Sequence, residues 1–187
     1  MCGIAGLIHR GKTSNVGGEL QSMLQALKHR GPDSTGYALY ANNDGQNFIL
    51  RFKVGENVGE GSTSVNEDES VYNERKKAVD KKLSELGALV VKEEKLTPYS
   101  YRYEIKFDKD LMEFSKAIES IQSVEILSIG KSLELIKDLG DATVVSERYG
   151  LNKVQGTHGI GHARMATESG VDIKSAHPFW GYPFADV

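Results

Sequence analysis

The hydrophobic and polar positions of the chain predict two regular elements near the N-terminus. Residues 3–8 form a short apolar run with glycines where the backbone needs room, which is typical of a strand. Apolar residues then recur at the i, i+3, i+4 and i+7 positions of an amphipathic helix, with Ser14 or Asn15 as its candidate cap. These apolar positions are Leu20, Met23, Leu24 and Leu27. The helix should end before Pro32, because proline disfavours helical geometry in the residue that precedes it.

The next two apolar runs predict a β-hairpin. Residues 37–40 and 48–52 flank the sequence Asn-Asn-Asp-Gly at 42–45. An Asp-Gly pair between apolar runs is a good hairpin signal, because the tight turn needs residues that tolerate a positive φ. We therefore expect these two runs to pair with each other.

The middle of the chain predicts a small α+β unit inserted into a larger core. Residues 55–70 are rich in glycine, serine, asparagine and acidic residues, as is typical of a linker. The pattern that follows is helix, strand, strand, helix, strand, which resembles half or more of a ferredoxin-like fold. The predicted elements are a helix at 72–86, strands at 88–91 and 99–107, a helix at 110–121, a strand at 124–129 and a short helix at 132–139. We therefore assign 70–150 to an inserted subdomain and 1–60 with 151–187 to the core.

Composition and charge narrow the class of protein without identifying it. The 187 residues suffice for one domain, or for one domain with an insert. No apolar run approaches the roughly 18 residues of a membrane span, and a net charge of −3 without a basic cluster argues against nucleic acid as the main partner. A single cysteine excludes an intramolecular disulfide and fits a reducing compartment. We expect a cytoplasmic protein that binds neither membranes nor nucleic acid.

The single cysteine is the first candidate for chemistry. Cys2 follows the initiator Met1, so removal of Met1 would place a free α-amino group and a thiol on one residue. Such groups ordinarily titrate near pH ~8 and ~8.5, so both can exchange protons near neutral pH. Together they form the nucleophile and base of covalent acyl transfer. The alternative is an inert structural cysteine, since reactivity depends on the surroundings of the thiol.

Two histidines near the C-terminal end raise the question of a metal site. His158 and His162 are four residues apart in a strand-like, glycine-spaced segment, 157–167. On a strand they would lie about 13 Å apart, which is too far to share one ion. No cysteine or acidic cluster accompanies them, so a metal site is not expected.

Three motifs, taken in order, make the chain resemble the class II glutamine amidotransferases, which are glutaminases with an N-terminal nucleophile. The motifs are Met-Cys-Gly-Ile-Ala-Gly at 1–6, His-Arg-Gly-Pro-Asp-Ser at 29–34, and Gly-His-Ala-Arg-Met-Ala-Thr at 161–167, followed by Ala-His-Pro at 176–178. The resemblance covers roughly the first 55 and the last 35 residues. It implies an α+β fold, a four-layer αββα sandwich of two antiparallel sheets.

The resemblance also implies a reaction and a set of substrate-binding residues. Cys2 would attack the side-chain amide of L-glutamine, release ammonia, and leave a thioester that water hydrolyses to glutamate. Arg164 would bind the α-carboxylate of glutamine, which suits the two parallel donors of a guanidinium. Thr167 would add a hydrogen bond, and Met165 and Glu168 belong to the same substrate-binding segment.

Three further residues would support this site. Arg30 would hold the loop beside the nucleophile, although Arg30 and Asp33 could instead pair with each other and fix a turn. His177 would brace the pocket, although a histidine before a proline is more often structural than chemical.

The ending of the insert resembles the glutaminase subunits related to glutamate synthase. In that group ammonia passes to an acceptor on a separate synthase chain that carries FMN and iron–sulfur clusters, so no cofactor is expected in this chain. Two alternatives stay open. One is a non-catalytic regulatory or assembly subunit with the same fold, and the other is the glutaminase domain of an asparagine-synthetase-like or purine-pathway enzyme.

One part of the family pattern is missing from the sequence. The family's oxyanion hole uses an Asn-Gly pair, and no Asn-Gly dipeptide occurs in the chain. The chain ends at Val187, so we expect a C-terminally truncated, incomplete sandwich. Because loss of one oxyanion donor costs about 10²–10³ in rate in a well-studied hydrolase, we expect weak activity or none from the isolated chain.

Overall fold

The computed structural model describes residues 2–42, 45–55, 67–165, 173 and 176–181. Within these residues the chain divides into two compact units, each with one four-stranded sheet. The strands are β1 (Gly3–Ile8), β2 (Ser34–Ala41), β3 (Phe48–Lys53), β4 (Leu89–Thr97), β5 (Ser100–Lys106), β6 (Glu125–Gly130), β7 (Leu133–Leu139) and β8 (Gly156–Arg164). The helices are α1 (Val16–Ala26), α2 (Glu69–Leu86), α3 (Leu111–Glu119) and α4 (Ala142–Tyr149). No helix within the described ranges is both long and apolar enough to cross a membrane.

The sheet of the first unit has the strand order β1-β8-β2-β7, so it pairs the first strand with the last of the described strands. Helix α1 contacts β1, β8 and α4, and its buried residues Leu20 and Leu24 face the sheet. A side chain on Gly161 would lie 2.5 Å from a methyl carbon of Leu24, so glycine allows α1 to pack directly on β8. The predicted first strand and first helix are therefore confirmed. Asn15 is the cap, because its side chain accepts a hydrogen bond from the amide of Gly18.

The second unit has the strand and helix order β3-α2-β4-β5-α3-β6, and its sheet order is β4-β5-β3-β6. Its neighbouring strands are all antiparallel. This order is the βαββαβ topology of ferredoxin-like folds. Its core contains aromatic rings in contact, with Phe52 stacked at 5.3 Å from Tyr101 and edge-on at 5.0 Å from Tyr103. The predicted helix-strand-strand-helix-strand series is observed, and β3 precedes it.

The short helix predicted at 132–139 is wrong, because this segment is strand β7. Every residue of β7 is buried, including Leu133, Leu135, Ile136 and Leu139. A strand covered on both sides shows no alternation of polar and apolar positions, so its pattern can imitate a helix. The pairing partner of β7 is β2, far earlier in the chain, and local pattern does not reveal such a partner.

The predicted hairpin between 37–40 and 48–52 is also wrong. Strand β2 lies between β8 and β7, whereas β3 lies between β5 and β6. The two strands therefore belong to different sheets, although the chain between them is short. Each strand gains two long-range partners in place of one local partner, and buried strands such as these need neighbours on both edges to satisfy their backbone groups.

The division of the chain also differs from the predicted boundaries at 60, 70 and 150. Strand β3 belongs to the second unit because it pairs with β5 and β6. From Glu134 onward the chain returns to the first unit, because β7 pairs with β2. Helix α4, which the sequence pattern did not predict, belongs to the first unit and is capped by Asp141, which accepts hydrogen bonds from the amides of Thr143 and Val144.

Candidate active site

The pairing of β1 with β8 brings the first and third motifs together. The strands are antiparallel, with Gly3 opposite Ala163 and Ile4 opposite His162. Extending this register by one residue sets Cys2 opposite Arg164. Residues opposite each other in an antiparallel pair project to the same face, so Cys2, Ile4, His162 and Arg164 share one face.

This face is the one that α1 does not cover. Helix α1 packs on the opposite face, where Gly161 meets Leu24. The open face carries three exposed isoleucines: Ile4 is 76% exposed, Ile8 68% and Ile160 51%. Cys2 is also exposed and free of any disulfide. The thiol is therefore accessible at the end of an apolar sheet surface.

A cavity of about 640 Å³ opens on this face. It brings the thiol of Cys2 and the guanidinium of Arg164 into one space with two imidazoles and several apolar walls. The lining residues are Cys2, Ile4, Ile160, Gly161, His162, Arg164, His177, Pro178 and Phe179. Arg164 is only 7% exposed, so solvent weakens the interactions of its charge only slightly.

The segment 176–179 forms one side of the cavity by lying directly against β2. A side chain on Gly36 would overlap the carbonyl oxygen of His177, so the absence of a β-carbon at Gly36 permits this close approach. The segment is held on one side by Ala176, which is fully buried and donates its amide to the carbonyl of Ile173. On the other side the ammonium of Lys137 lies 4.4 Å from the centroid of the Phe179 ring, a cation–π contact.

Two imidazoles meet in the cavity. The rings of His162 and His177 lie edge to face with centroids 5.0 Å apart, and His177 makes a similar contact with Phe179 at 4.8 Å. Burial, with contributions from His177 and Arg164, lowers the pKa of His162 below its ordinary value. His162 is therefore neutral at neutral pH.

The second motif reaches the site through its backbone. The amide of Asp33 donates a hydrogen bond to the carbonyl of Arg164 at 3.1 Å, and the carbonyl of Asp33 accepts one from Gly140 at 3.0 Å. Asp33 thus ties the end of β8 to the end of β7. Arg30 lies in a single turn of 3₁₀ helix, Lys28–Arg30, and does not line the cavity.

The predicted substrate-binding residues divide into three groups. Cys2, Arg164 and His177 line one cavity. Met165 follows β8, is half-buried, and is not part of the cavity wall. Thr167 and Glu168 lie outside the described residues.

Six residues of the wall were not predicted as site residues, namely Ile4, Ile160, Gly161, His162, Pro178 and Phe179. A signal for His162 was present, because strand alternation counted back from Arg164 places it on the same face. The sequence otherwise marks His162 only as a possible metal partner of His158, and the spacing of the two residues on a strand argues against that site. In the structure His158 stacks on Tyr40, with ring centroids 3.9 Å apart, whereas His162 contacts His177. Within the described ranges no three His, Cys, Asp or Glu side chains are grouped to hold a metal ion.

The arrangement is suited to one class of chemistry. An exposed thiol provides a nucleophile, and a buried guanidinium provides a binding group for a carboxylate. An acyl compound that carries a carboxylate could therefore be held by Arg164 while Cys2 attacks it. The cavity therefore brings together the kinds of group that thiol-dependent acyl transfer uses.

Two relatives match nearly the whole chain. A protein of Methanothermobacter thermautotrophicus with the provisional name glutamine amidotransferase is 34% identical over 192 residues, covering 100% of this chain and 59% of the relative. The glutamine amidotransferase-like protein GlxB of Rhizobium meliloti is 30% identical over 181 residues, covering 96% of this chain and 54% of GlxB. The chain thus spans less than two thirds of the length of these relatives.

A third relative matches a shorter part. The isomerizing glutamine–fructose-6-phosphate aminotransferase of Pyrobaculum aerophilum is 36% identical over 56 residues, which is 30% of this chain and 9% of that protein. No protein-family model matches the chain. The named relatives support a glutamine amidotransferase family for the chain.

Proposed function

We propose that the protein is a class II glutaminase that uses Cys2 to hydrolyse the side-chain amide of L-glutamine. The observation that carries the proposal is the shared cavity of Cys2 and Arg164 at the paired ends of β1 and β8. The relatives named as glutamine amidotransferases support the choice of glutamine as substrate.

In the proposed reaction this chain supplies the nucleophile, the base and the group that binds the carboxylate. After removal of Met1, the α-amino group of Cys2 takes the proton of the thiol, and the sulfur attacks the amide carbon. The proton then passes to the departing nitrogen, which leaves as ammonia, and water hydrolyses the thioester to glutamate. Arg164 holds the α-carboxylate with two parallel hydrogen bonds. Thr167, Met165 and Glu168 complete the substrate-binding segment, and Arg30, Asp33 and His177 keep the surrounding loops in place.

We also propose that the first unit is part of an αββα sandwich. Helices α1 and α4 contact each other, and α1 packs on one face of the sheet. The opposite face presents Ile4, Ile8 and Ile160 to solvent. Contiguous apolar side chains of this kind usually mark a surface that packs against another element. A second sheet on this face would bury them and would complete the four layers.

The ammonia acceptor is proposed to be a glutamate-synthase-like chain. That assignment rests on the resemblance of the insert, and it places FMN and iron–sulfur clusters on the partner. The residues of this chain do not suit an iron–sulfur cluster of their own, because such clusters are commonly held by four cysteines and the sequence has one. The proposed cellular location is the cytoplasm.

The test is the intact mass of the purified protein before and after incubation with a diazoketone analogue of glutamine. The starting mass shows whether Met1 has been removed. We expect one adduct on the Met-free wild type and none on Cys2→Ser. Arg164→Ala should be labelled at least about 10-fold more slowly, because a lost charged hydrogen bond costs about 1.5–3 kcal/mol.

Arg10→Ala is the matched control for the arginine variant. Arg10 is exposed, is not part of the cavity, and should be labelled at the wild-type rate. Iodoacetamide, which has no glutamine-like group, should alkylate Cys2 in all three chains that retain it. A Met-free wild type that iodoacetamide alkylates and the diazoketone does not would contradict the glutaminase proposal and favour a non-catalytic subunit.

A further inference from the structure

His162 is the polar residue of the cavity that the proposed reaction does not use. It is 6% exposed and lies in β8, two residues before Arg164 and opposite Ile4 of β1. Its Nδ1 atom is buried and has no hydrogen-bond partner among the residues that the structure describes. A buried polar atom without a partner is uncommon and lowers the stability of a protein by about 1–3 kcal/mol. Its presence in the wall of a cavity therefore indicates a functional role.

The surroundings of His162 keep its ring neutral. Arg164 follows on the same face, and the ring of His177 lies edge to face with it at 5.0 Å. The wall beside it on β1 is the apolar side chain of Ile4, and the nearest position across on β2 is Gly36. Burial lowers the pKa of His162 because the charged ring would lose its hydration, and the neighbouring His177 and Arg164 lower it further.

The orphaned Nδ1 atom also indicates which nitrogen carries the proton. A neutral imidazole has one N–H donor and one acceptor nitrogen. A buried donor without a partner is rarer in proteins than an unfilled acceptor. The proton therefore belongs on Nε2, and Nδ1 keeps an unfilled lone pair. Nδ1 is buried and His162 lines the same cavity as Cys2, so Nε2–H is the nitrogen left to act as a neutral hydrogen-bond donor toward that cavity.

We propose that His162 is a catalytic residue whose Nε2–H donates a hydrogen bond to the oxygen of the amide that Cys2 attacks. This inference rests on the proposed glutaminase function. As the S–C bond forms, the π pair of the carbonyl moves to oxygen, and the resulting oxyanion accepts the hydrogen bond. When the pair returns, the C–N bond breaks and ammonia leaves with the proton taken from the thiol. His162 keeps its proton throughout, as a neutral imidazole that polarises a carbonyl does in other enzymes.

The first experiment measures acylation of Cys2 by L-glutamic acid γ-(p-nitroanilide), followed by release of p-nitroaniline. The variants are His162→Phe, which keeps a flat ring without a donor, and His162→Gln, which keeps an amide donor. We expect His162→Phe to lower kcat by about 10- to 100-fold with KM changed by less than about threefold, because the hydrogen bond strengthens only as charge develops. His162→Gln should recover part of that loss.

His158→Phe is the matched control, because His158 lies on the same strand and face but stacks on Tyr40 away from the cavity. It should acylate at the wild-type rate. Iodoacetamide should alkylate Cys2 equally fast in all variants, which shows that the thiol itself is unchanged. Equal circular dichroism and unfolding midpoints would show that the variants are folded.

A second measurement does not depend on activity. The ¹⁵N chemical shifts of the imidazole nitrogens distinguish the Nε2–H tautomer, the Nδ1–H tautomer and the charged ring. With His162→Phe as the assignment control, we expect the His162 signals to report the neutral Nε2–H form between about pH 6.5 and 8. A charged ring or an Nδ1–H tautomer would overturn the proposal.

The outcomes separate this inference from the function on which it rests. If the diazoketone labels the wild type but His162→Phe acylates normally or only raises KM, the donor role is overturned and the glutaminase function stands. If the diazoketone does not label a Met-free wild type, the function is overturned and the donor role with it. The proposal is supported if the diazoketone labels the wild type, His162→Phe is acylated more slowly, and His162→Gln recovers part of the rate. The His162 ring must also be in the neutral Nε2–H form.

Discussion

Gly36 of β2 and the carbonyl oxygen of His177 are in such close contact that a β-carbon on Gly36 would overlap that oxygen. This single contact lets the segment carrying His177, Pro178 and Phe179 lie flat on the sheet and form one side of the cavity. The size of one residue on β2 therefore controls the shape of a site whose nucleophile is on β1.

Gly36→Ala should disturb the cavity more than it disturbs the sheet. The added methyl group pushes the segment at 177–179 away from β2, and overpacking of this kind costs about 1–3 kcal/mol. We expect slower labelling of Cys2 by the diazoketone, by about 10-fold or more, with iodoacetamide alkylation unchanged. Gly181→Ala is the control, because nothing lies within 4 Å of its added carbon. Wild-type labelling of Gly36→Ala would show that the position of the segment does not matter.

The contact between Lys137 and Phe179 should help to hold the same segment. The ammonium lies 4.4 Å from the ring centroid, and Lys137 is 3% exposed. Because a partly desolvated cation–π contact contributes about 0.5–2 kcal/mol, Phe179→Leu should slow diazoketone labelling by about 2- to 20-fold. Phe179→Tyr keeps an aromatic face and should behave like the wild type. Equal rates for the leucine and tyrosine variants would mean that the ring face contributes nothing.

Asp138 should be one of the most sensitive residues of the first unit. Its carboxylate is fully buried and accepts hydrogen bonds from Arg148 at 2.8 Å and from the hydroxyl of Tyr149 at 2.9 Å. Asp138→Ala removes both hydrogen bonds to this buried carboxylate, and hydrogen bonds to a charged group contribute about 1.5–3 kcal/mol each, so the free energy of unfolding should fall by about 3 kcal/mol or more. Urea unfolding measures the change. The exposed Glu113, paired with Lys116, is the control, and Glu113→Ala should cost less than about 1 kcal/mol.

His162 should make the stability of the protein depend on pH in a defined direction. Its pKa is lowered in the folded state, so between that value and the ordinary value near ~6.5 the unfolded chain binds more protons than the folded one. Stability is therefore full above the ordinary pKa and is lost as the pH falls toward the folded value. In unfolding measurements from about pH 7.5 to 5.5, the wild type should lose more stability than His162→Phe. Parallel curves for the two proteins would contradict a buried, neutral His162.

Local patterns in the sequence determined several elements on their own. The first strand, helix α1 with its cap at Asn15, and the series α2-β4-β5-α3-β6 follow from hydrophobic periodicity and capping residues, which act within a few positions along the chain. The residue type and position of Cys2 indicated a candidate nucleophile, whereas the carboxylate-binding role of Arg164 came from the family resemblance. A stop signal at Gly150 and a cap at Asp141 also marked α4, although the pattern between them was too weak to predict it.

Only the tertiary structure decided which strands pair and which side chains meet. The local pattern predicted a helix at β7 and a hairpin between β2 and β3. Both predictions were wrong because the strands that pair with these elements lie far away in the sequence, where a local pattern gives no information. For the same reason the sequence did not reveal that His162 faces the Cys2 cavity or that Gly36 lies under His177. Hydrophobic periodicity depends only on the helix or strand that contains a residue. Strand pairing and burial depend on the free energy of the whole fold. The candidate site is formed by such long-range pairing, so the sequence pattern alone does not reveal it.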